Sequence, residues 1–353
     1  MVAAPTNVAS PTQMGAEIAL RRHSPHGVVR RPLSPLWASR PERHQHSQQS
    51  SPSQLVNTAD FTARDERIRC LSYGVMRKLA GLPQDLFANY WRDVLGSLCA
   101  RLPGVGYYVQ HHFSHDHSAN LWPLPDGIRR MDVVLDGAVE IGFADTDGQN
   151  RYVKASPVLF ADALYLFEHT VAYNLPQGSH TLVDREADSI PNGPDRLYPL
   201  HLHLNGGSGN GFRPWLSEWA RHLASAPAVQ KLRLHLPEPY DNAHPAPPLP
   251  CVDNQVSGER KDIGVIEIGF ASALTAGKIR EREAYRATIE EQRRHLRSVG
   301  AFLVTGVYTY VRDGVITTAG LRGSRTAELI ERIGALNQTR DEVTRRFVQD
   351  PHR

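Results

Sequence analysis

The chain has 353 residues, of which 41% are hydrophobic and 22% charged, the balance of a soluble globular protein with room for two ordinary domains. No apolar run approaches the roughly 20 residues that cross a bilayer, so no membrane partner is expected. The net charge of +3 is small for a nucleic-acid binder, and its excess sits near the N-terminus, where Arg21, Arg22, Arg30, Arg31, Arg40 and Arg43 face only Glu17 and Glu42.

Residues 1–60 are rich in Pro, Ser, Gln and His and lack hydrophobic periodicity, so they are expected to stay disordered. Their Arg and Ser content resembles a mitochondrial transit peptide, but Pro25, Pro32, Pro35 and Pro41 interrupt the amphipathic helix such a peptide uses. The three cysteines, Cys70, Cys99 and Cys251, form no C-x-x-C pair and read as reduced thiols of a cytoplasmic protein. Ordered structure is expected from residue 61. Arg69 to Lys78 reads as a strand with Leu71, Tyr73 and Val75 on one face. A helix follows from Pro83 to Leu102, carrying Phe87, Trp91, Leu95 and Leu98 at helical spacing, and Pro103-Gly104 ends it. Val105 to His112 is the next strand.

Glu140-Ile141-Gly142-Phe143-Ala144 then recurs as Glu267-Ile268-Gly269-Phe270-Ala271, an identical pentapeptide 127 residues later. The surrounding order repeats with it. Leu197–Leu204 and Val229–Leu236 read as strands flanking a helix at Arg213–Leu223, and Trp91 to Val105 and Trp215 to Val229 share a separation of 14 residues. Helical stretches follow each pentapeptide (Ser156–Glu168 and Thr275–Ser298), and each copy closes on an aromatic strand, Thr170–Tyr173 or Val307–Tyr310. The order per copy is βαββαβ, which defines an α+β chain of two ferredoxin-like units, 61–178 and 197–312. Such a sheet leaves one face bare, at about 25 cal/mol per Å² of apolar surface. Packing the two bare faces together predicts an intramolecular, pseudo-dimeric barrel. The stretch 179–196 is the expected linker, 237–261 a Pro-rich insertion, and 313–353 a C-terminal helical tail.

Asn89-Tyr90-Trp91-Arg92-Asp93-Val94-Leu95-Gly96, Leu102-Pro103-Gly104, Tyr108-Val109-Gln110-His111-His112 and Asp136-Gly137-Ala138-Val139-Glu140 together resemble the EthD family of the dimeric α+β barrel superfamily. The resemblance covers about 67–178 well and 197–312 only through the repeat. It implies a barrel enzyme acting on small aromatic or polyketide-like acids, by decarboxylation or a related proton transfer. The family's helix histidine is Leu95 here, and its strand Asn is His111. Related barrel families include monooxygenases and cyclases, and loss of the helix histidine leaves a non-catalytic binding role open.

Imidazole is the side chain best suited to proton transfer at neutral pH. His112 matches the family's strand histidine at an expected barrel mouth and is the candidate general acid, with His111 or His115 beside it. Tyr73 and Tyr107 are expected on adjacent strands, lining the cavity with Trp91 as substrate contacts. Cys99 reads as packing. Asp93 is a candidate to orient a histidine but fits a solvated helix carboxylate better. His115/His117 and His201/His203 have the spacing of paired ligands, yet no third ligand is fixed by spacing, and no metal or cofactor is assigned. Asn205 to Gly211 lacks the residues of a phosphate loop and reads as a turn. The partner is then a small-molecule acid, with no nucleic acid, and the chain is a monomer (pseudo-dimer) or a homodimer.

Overall fold

A short helix α1 (Ala59–Arg67) leads into β1 (Cys70–Lys78). Helix α2 (Gln84–Tyr90) passes without a break into a π-helical turn, Trp91–Leu95, and a last turn, Gly96–Cys99. Strands β2 (Tyr107–Phe113) and β3 (Gly137–Phe143) follow, then helices α3 (Thr146–Ala155) and α4 (Pro157–Leu166), and β4 (Phe167–Leu175). After a tight turn comes β5 (Ser179–Asp184). The second repeat contains β6 (Tyr198–Asn205), helix α5 (Phe212–Ser225), β7 (Val229–His235), β8 (Ile263–Phe270), helix α6 (Ile289–His295) and β9 (Ser298–Arg312). Helix α7 (Ser324–Ile333) packs outside. This computed structural model describes residues 59–115, 121–185, 190–206, 211–245 and 247–347. The expected N-terminal tail up to residue 58, Asp116, His117 and the glycine-rich turn at 207–210 lie outside the described residues.

Each repeat has the strand order of a ferredoxin-like sheet. The wall runs β4-β1-β3-β2-β9-β6-β8-β7-β5, antiparallel at each neighbouring pair. The long β9 joins the two sheets: Ser298–Leu303 pair with β6, and Val304–Val311 pair with β2. The first repeat mirrors this, because β4 pairs with β1 and its continuation β5 pairs with β7. The bend between them needs Gly178, whose φ is +68° and where a Cβ would stand 2.5 Å from the carbonyl oxygen of Ile68. Each repeat's last strand therefore crosses to the other sheet, and the wall closes within one chain. The molecule is a dimeric α+β barrel whose two halves are fused.

Both faces of the wall are covered, so the strands are buried on both sides. One layer fills the lumen with Leu71, Val75, Val109, Phe113, Val265 and Phe302. A second packs the first sheet under its helices through Phe87, Trp91, Ile141 and Leu166. A third packs the second sheet under α5 through Leu200, Leu202, Leu216 and Trp219. The helix expected over Thr275–Ser298 is broken into short pieces, with Gly277 ending the first. Its last residue instead begins β9, which starts nine residues before the expected Val307.

Candidate functional site

The expected site residues divide between the two faces of the first sheet. Alternation sends Tyr73, Tyr107 and His111 into the lumen, and it sends Tyr108, Gln110 and His112 under the helices. Tyr73 and Tyr107 are not on adjacent strands, because β3 lies between β1 and β2. His115 stands apart at the strand end, its side chain 56% exposed and 3.3 Å from Asp136.

His112 lies flat on Trp91, with ring centroids 4.3 Å apart and planes 14° apart, and its far edge meets Tyr308. Its Nε2–H donates to Gln110 Oε1 at 3.1 Å. Burial, with Arg92 and His111 nearby, pushes its pKa down to about 3. The imidazole is therefore neutral at pH 7 and packed into the wall, away from any barrel mouth. Asp93 orients no histidine. Its Oδ1 accepts the backbone N–H of Arg325 at 2.8 Å, holding the start of α7, and its Oδ2 accepts from Arg92.

Between the first sheet and its helices is an enclosed space of about 180 Å³. Its floor is cut from small residues, Ser72 and Gly74 on β1 and Ala172 on β4, with Gly74 directly opposite Ala172. Trp91 enters from the π-helical turn, a distortion that re-aims side chains and recurs at functional sites. Leu95, at the position of the resembled family's helix histidine, also lines the space and keeps it apolar. Phe160 and Ala163 of α4 form one side, and Tyr240, Pro247 and Leu249 of the Pro-rich insertion close over it. The second repeat thus supplies the cover for the first repeat's pocket, which sequence spacing gave no signal of.

The polar groups in this wall are uncharged. The Tyr108 hydroxyl accepts from Gln110 Nε2 at 2.7 Å, and the Tyr152 hydroxyl meets Cys99 Sγ at 3.6 Å. Burial holds both phenols well above their usual pKa and pushes the Cys99 thiol up to about 11. All three stay protonated near neutral pH, and Cys99 is packing.

Register explains why the pocket belongs to the first repeat. Tyr73 pairs with Glu140, and His201 with Glu267, so Ser72 and Gly74 correspond to Leu200 and Leu202. Leucines fill the second repeat's floor. Trp219, corresponding to Leu95, and Trp122 from the first repeat occupy the remaining volume, 6.4 Å apart.

The lumen holds a different assembly. Glu140 and Glu267, the glutamates of the repeated pentapeptide, are buried at its centre. Arg233 Nε donates to Glu140 Oε2 at 3.0 Å, and its Nη1 donates to Asp65 at 2.6 Å. His111 Nε2 lies 3.2 Å from Glu140 Oε1, and Lys231 Nζ lies 3.1 Å from Glu267. The Tyr73 hydroxyl bridges His201 Nδ1 at 2.8 Å and His203 Nε2 at 3.0 Å. Tyr107 lies under the guanidiniums of Arg64 and Arg233, each 5.6 Å from its ring centre. Burial alone would raise Glu140 and Glu267. Arg233 and His235 outweigh it at the first, and Lys231 with His111 and His201 at the second, so both carboxyls are held low. Burial pushes His203 down to about 3 and His235 to about 4, and depresses His201 as well. A charged residue in both copies of a strand pentapeptide was the available signal for this cluster.

No family model matches the chain, and no curated protein matches it. Solved structures do match. A candidate monooxygenase from Fusobacterium nucleatum subsp. nucleatum is 7% identical over 71% of this chain and 97% of its own, with a TM-score of 0.44. One from Lactobacillus acidophilus is 7% identical over 71% of this chain and 99% of its own, at a TM-score of 0.39. An anthrone oxidase-like protein is 12% identical over 72% of this chain and 98% of its own, at 0.43. The likeness in each case is one of fold. Among the described residues, no helix is long and apolar enough to cross a membrane.

Proposed function

We propose that the chain is a barrel oxygenase that holds a small, flat, electron-rich aromatic molecule over Trp91 while dioxygen oxidises it. The observation that carries this reading is the wall of the 180 Å³ pocket, which is aliphatic, aromatic and uncharged. A cavity of ~150 Å³ accepts benzene, so a substituted single ring fits here. A carboxylate does not fit. Among the described residues no charged side chain lines the pocket, and an unpaired carboxylate pays its full desolvation cost there. This favours oxygenation over the decarboxylation of an acid. The neutral, wall-packed His112 supports the same preference, since it holds no proton to deliver at pH 7.

For a ring methylene the atoms balance as CH2 + O2 → C=O + H2O. The carbon loses four electrons, one oxygen atom enters the product and the other leaves as water. The chain's part is positional: Trp91 stacks the ring, the Tyr108 and Tyr152 hydroxyls hydrogen-bond its oxygens, and the insertion keeps water out. The EthD resemblance supports the location, because its Tyr-Trp-Arg-Asp run places Trp91 in this pocket. With the barrel closed inside one chain, a monomer suffices.

Dioxygen consumption with a panel of anthrones and hydroquinones tests the proposal, with binding followed by tryptophan fluorescence. Turnover that Trp91→Ala and Tyr152→Phe both depress supports it. Binding without oxygen uptake reassigns the pocket to a carrier or sensor role, and absence of binding removes the pocket from consideration.

A further inference from the structure

On the other face of the same sheet, the lumen cluster performs no task in the oxygenase reading. We propose that the centre of the barrel binds a divalent first-row transition-metal ion through His111, His201 and Glu267, with His235 and Glu140 flanking it.

The geometry comes from both repeats at once. His111 stands on β2, His201 on β6 and Glu267 on β8, and one donor atom from each lies within 4.8 Å of the others. Glu140, His235 and Glu267 form a second such group, so Glu267 is shared. Opposed ligands on a metal with bonds of about 2.0–2.2 Å stand roughly 4.2 Å apart, so closing on an ion requires a shift of roughly 0.6 Å. Register makes the arrangement symmetric, since His111 pairs with Ala138 and His235 with Val265, two residues before Glu140 and Glu267.

The independent observation is the state of the imidazoles. His111, His201 and His235 are at most 2% exposed, and one nitrogen of each, Nδ1, Nε2 and Nε2 respectively, has no hydrogen-bond partner in the protein. Buried polar atoms are almost always satisfied, so three in one cluster point to a ligand. His201 is also oriented as a ligand is. Tyr73 Oη can accept its Nδ1–H while donating its own proton to His203, which leaves the His201 Nε2 lone pair free to coordinate. Two imidazoles and a carboxylate suit iron, zinc, manganese or cobalt, whereas calcium and magnesium prefer all-oxygen sites. Lys231 engages one oxygen of Glu267, and the carboxylate has a second to offer the ion.

The test uses full-length protein from cells grown with added zinc and dialysed against a weak chelator, with bound metal measured by mass spectrometry. The expected result is about one zinc per chain in the wild type and loss of it in His201→Gln and in Glu267→Gln, each checked for folding by circular dichroism. If either variant does not fold, X-ray absorption at the zinc edge of the wild type decides. Two imidazoles and a carboxylate at about 2.0–2.2 Å support the site, and an oxygen-only shell overturns it. Failure of the wild type to retain zinc, or retention unchanged in both folded variants, overturns it too.

Discussion

Replacing His112 by phenylalanine isolates the cost of keeping one imidazole uncharged inside the wall. The ring stack on Trp91 survives the change, while the bond from Nε2 to Gln110 Oε1 is lost. Gln110 Oε1 keeps the Tyr310 hydroxyl at 3.1 Å, so the variant should lose about 1 kcal/mol at pH 7. The folded pKa of about 3 lies below the unfolded value of about 6.5, so below pH 6.5 the unfolded chain takes up the proton that the folded chain refuses. Stability from His112 is thus complete above that pH and falls as pH drops toward 3. At pH 5 the linkage amounts to about 2 kcal/mol. The wild type should therefore exceed His112→Phe by about 1 kcal/mol at pH 7 and fall below it by a similar margin at pH 5. Urea unfolding followed by circular dichroism at the two pH values measures the difference. A gap that stays constant between them would refute the buried neutral imidazole and return His112 to candidacy as a proton donor.

Ser72→Leu, which copies the second repeat's Leu200, should abolish aromatic binding in the pocket with little loss of stability, as read by fluorescence titration and thermal melts. Arg233→Met strands the buried Glu140 and Asp65 carboxylates and should cost about 3–5 kcal/mol in chemical denaturation. A cost near zero would show the lumen to be wet. Tyr73→Phe removes the hydroxyl shared by His201 and His203, and about 1–3 kcal/mol of destabilisation is expected by the same assay. At pH 8 iodoacetamide should modify the exposed Cys251 and spare Cys99, whose thiol is buried and raised to about 11; peptide mass spectrometry distinguishes them.

Much of the architecture was legible in the order of elements. The repeated pentapeptide and the matched Trp-to-Val separations set two βαββαβ copies beside each other, and the bare sheet faces required a barrel. The site was less legible, and His111 with His112 shows the reason. Neighbouring residues on a strand point to opposite faces, and apolar alternation normally tells which face is inward. Here both faces are buried, so alternation carries no such information, and His112 falls under the helices while His111 enters the lumen. Tyr73 was correctly read as cavity-facing, but the cavity it faces is filled by His201 and His203 of the other repeat.

By itself the sequence determined the repeat, the class of each sheet and the need to pair them, because these follow from local periodicity and from the cost of exposed apolar area. The tertiary structure decided that β9 and β4–β5 cross between sheets, that the Pro-rich insertion covers the first repeat's pocket, and that Glu140 and Glu267 meet in the lumen. Those outcomes depend on contacts between residues more than a hundred positions apart. They are set by which side chains must share one closed volume, a quantity that no local window of the chain contains.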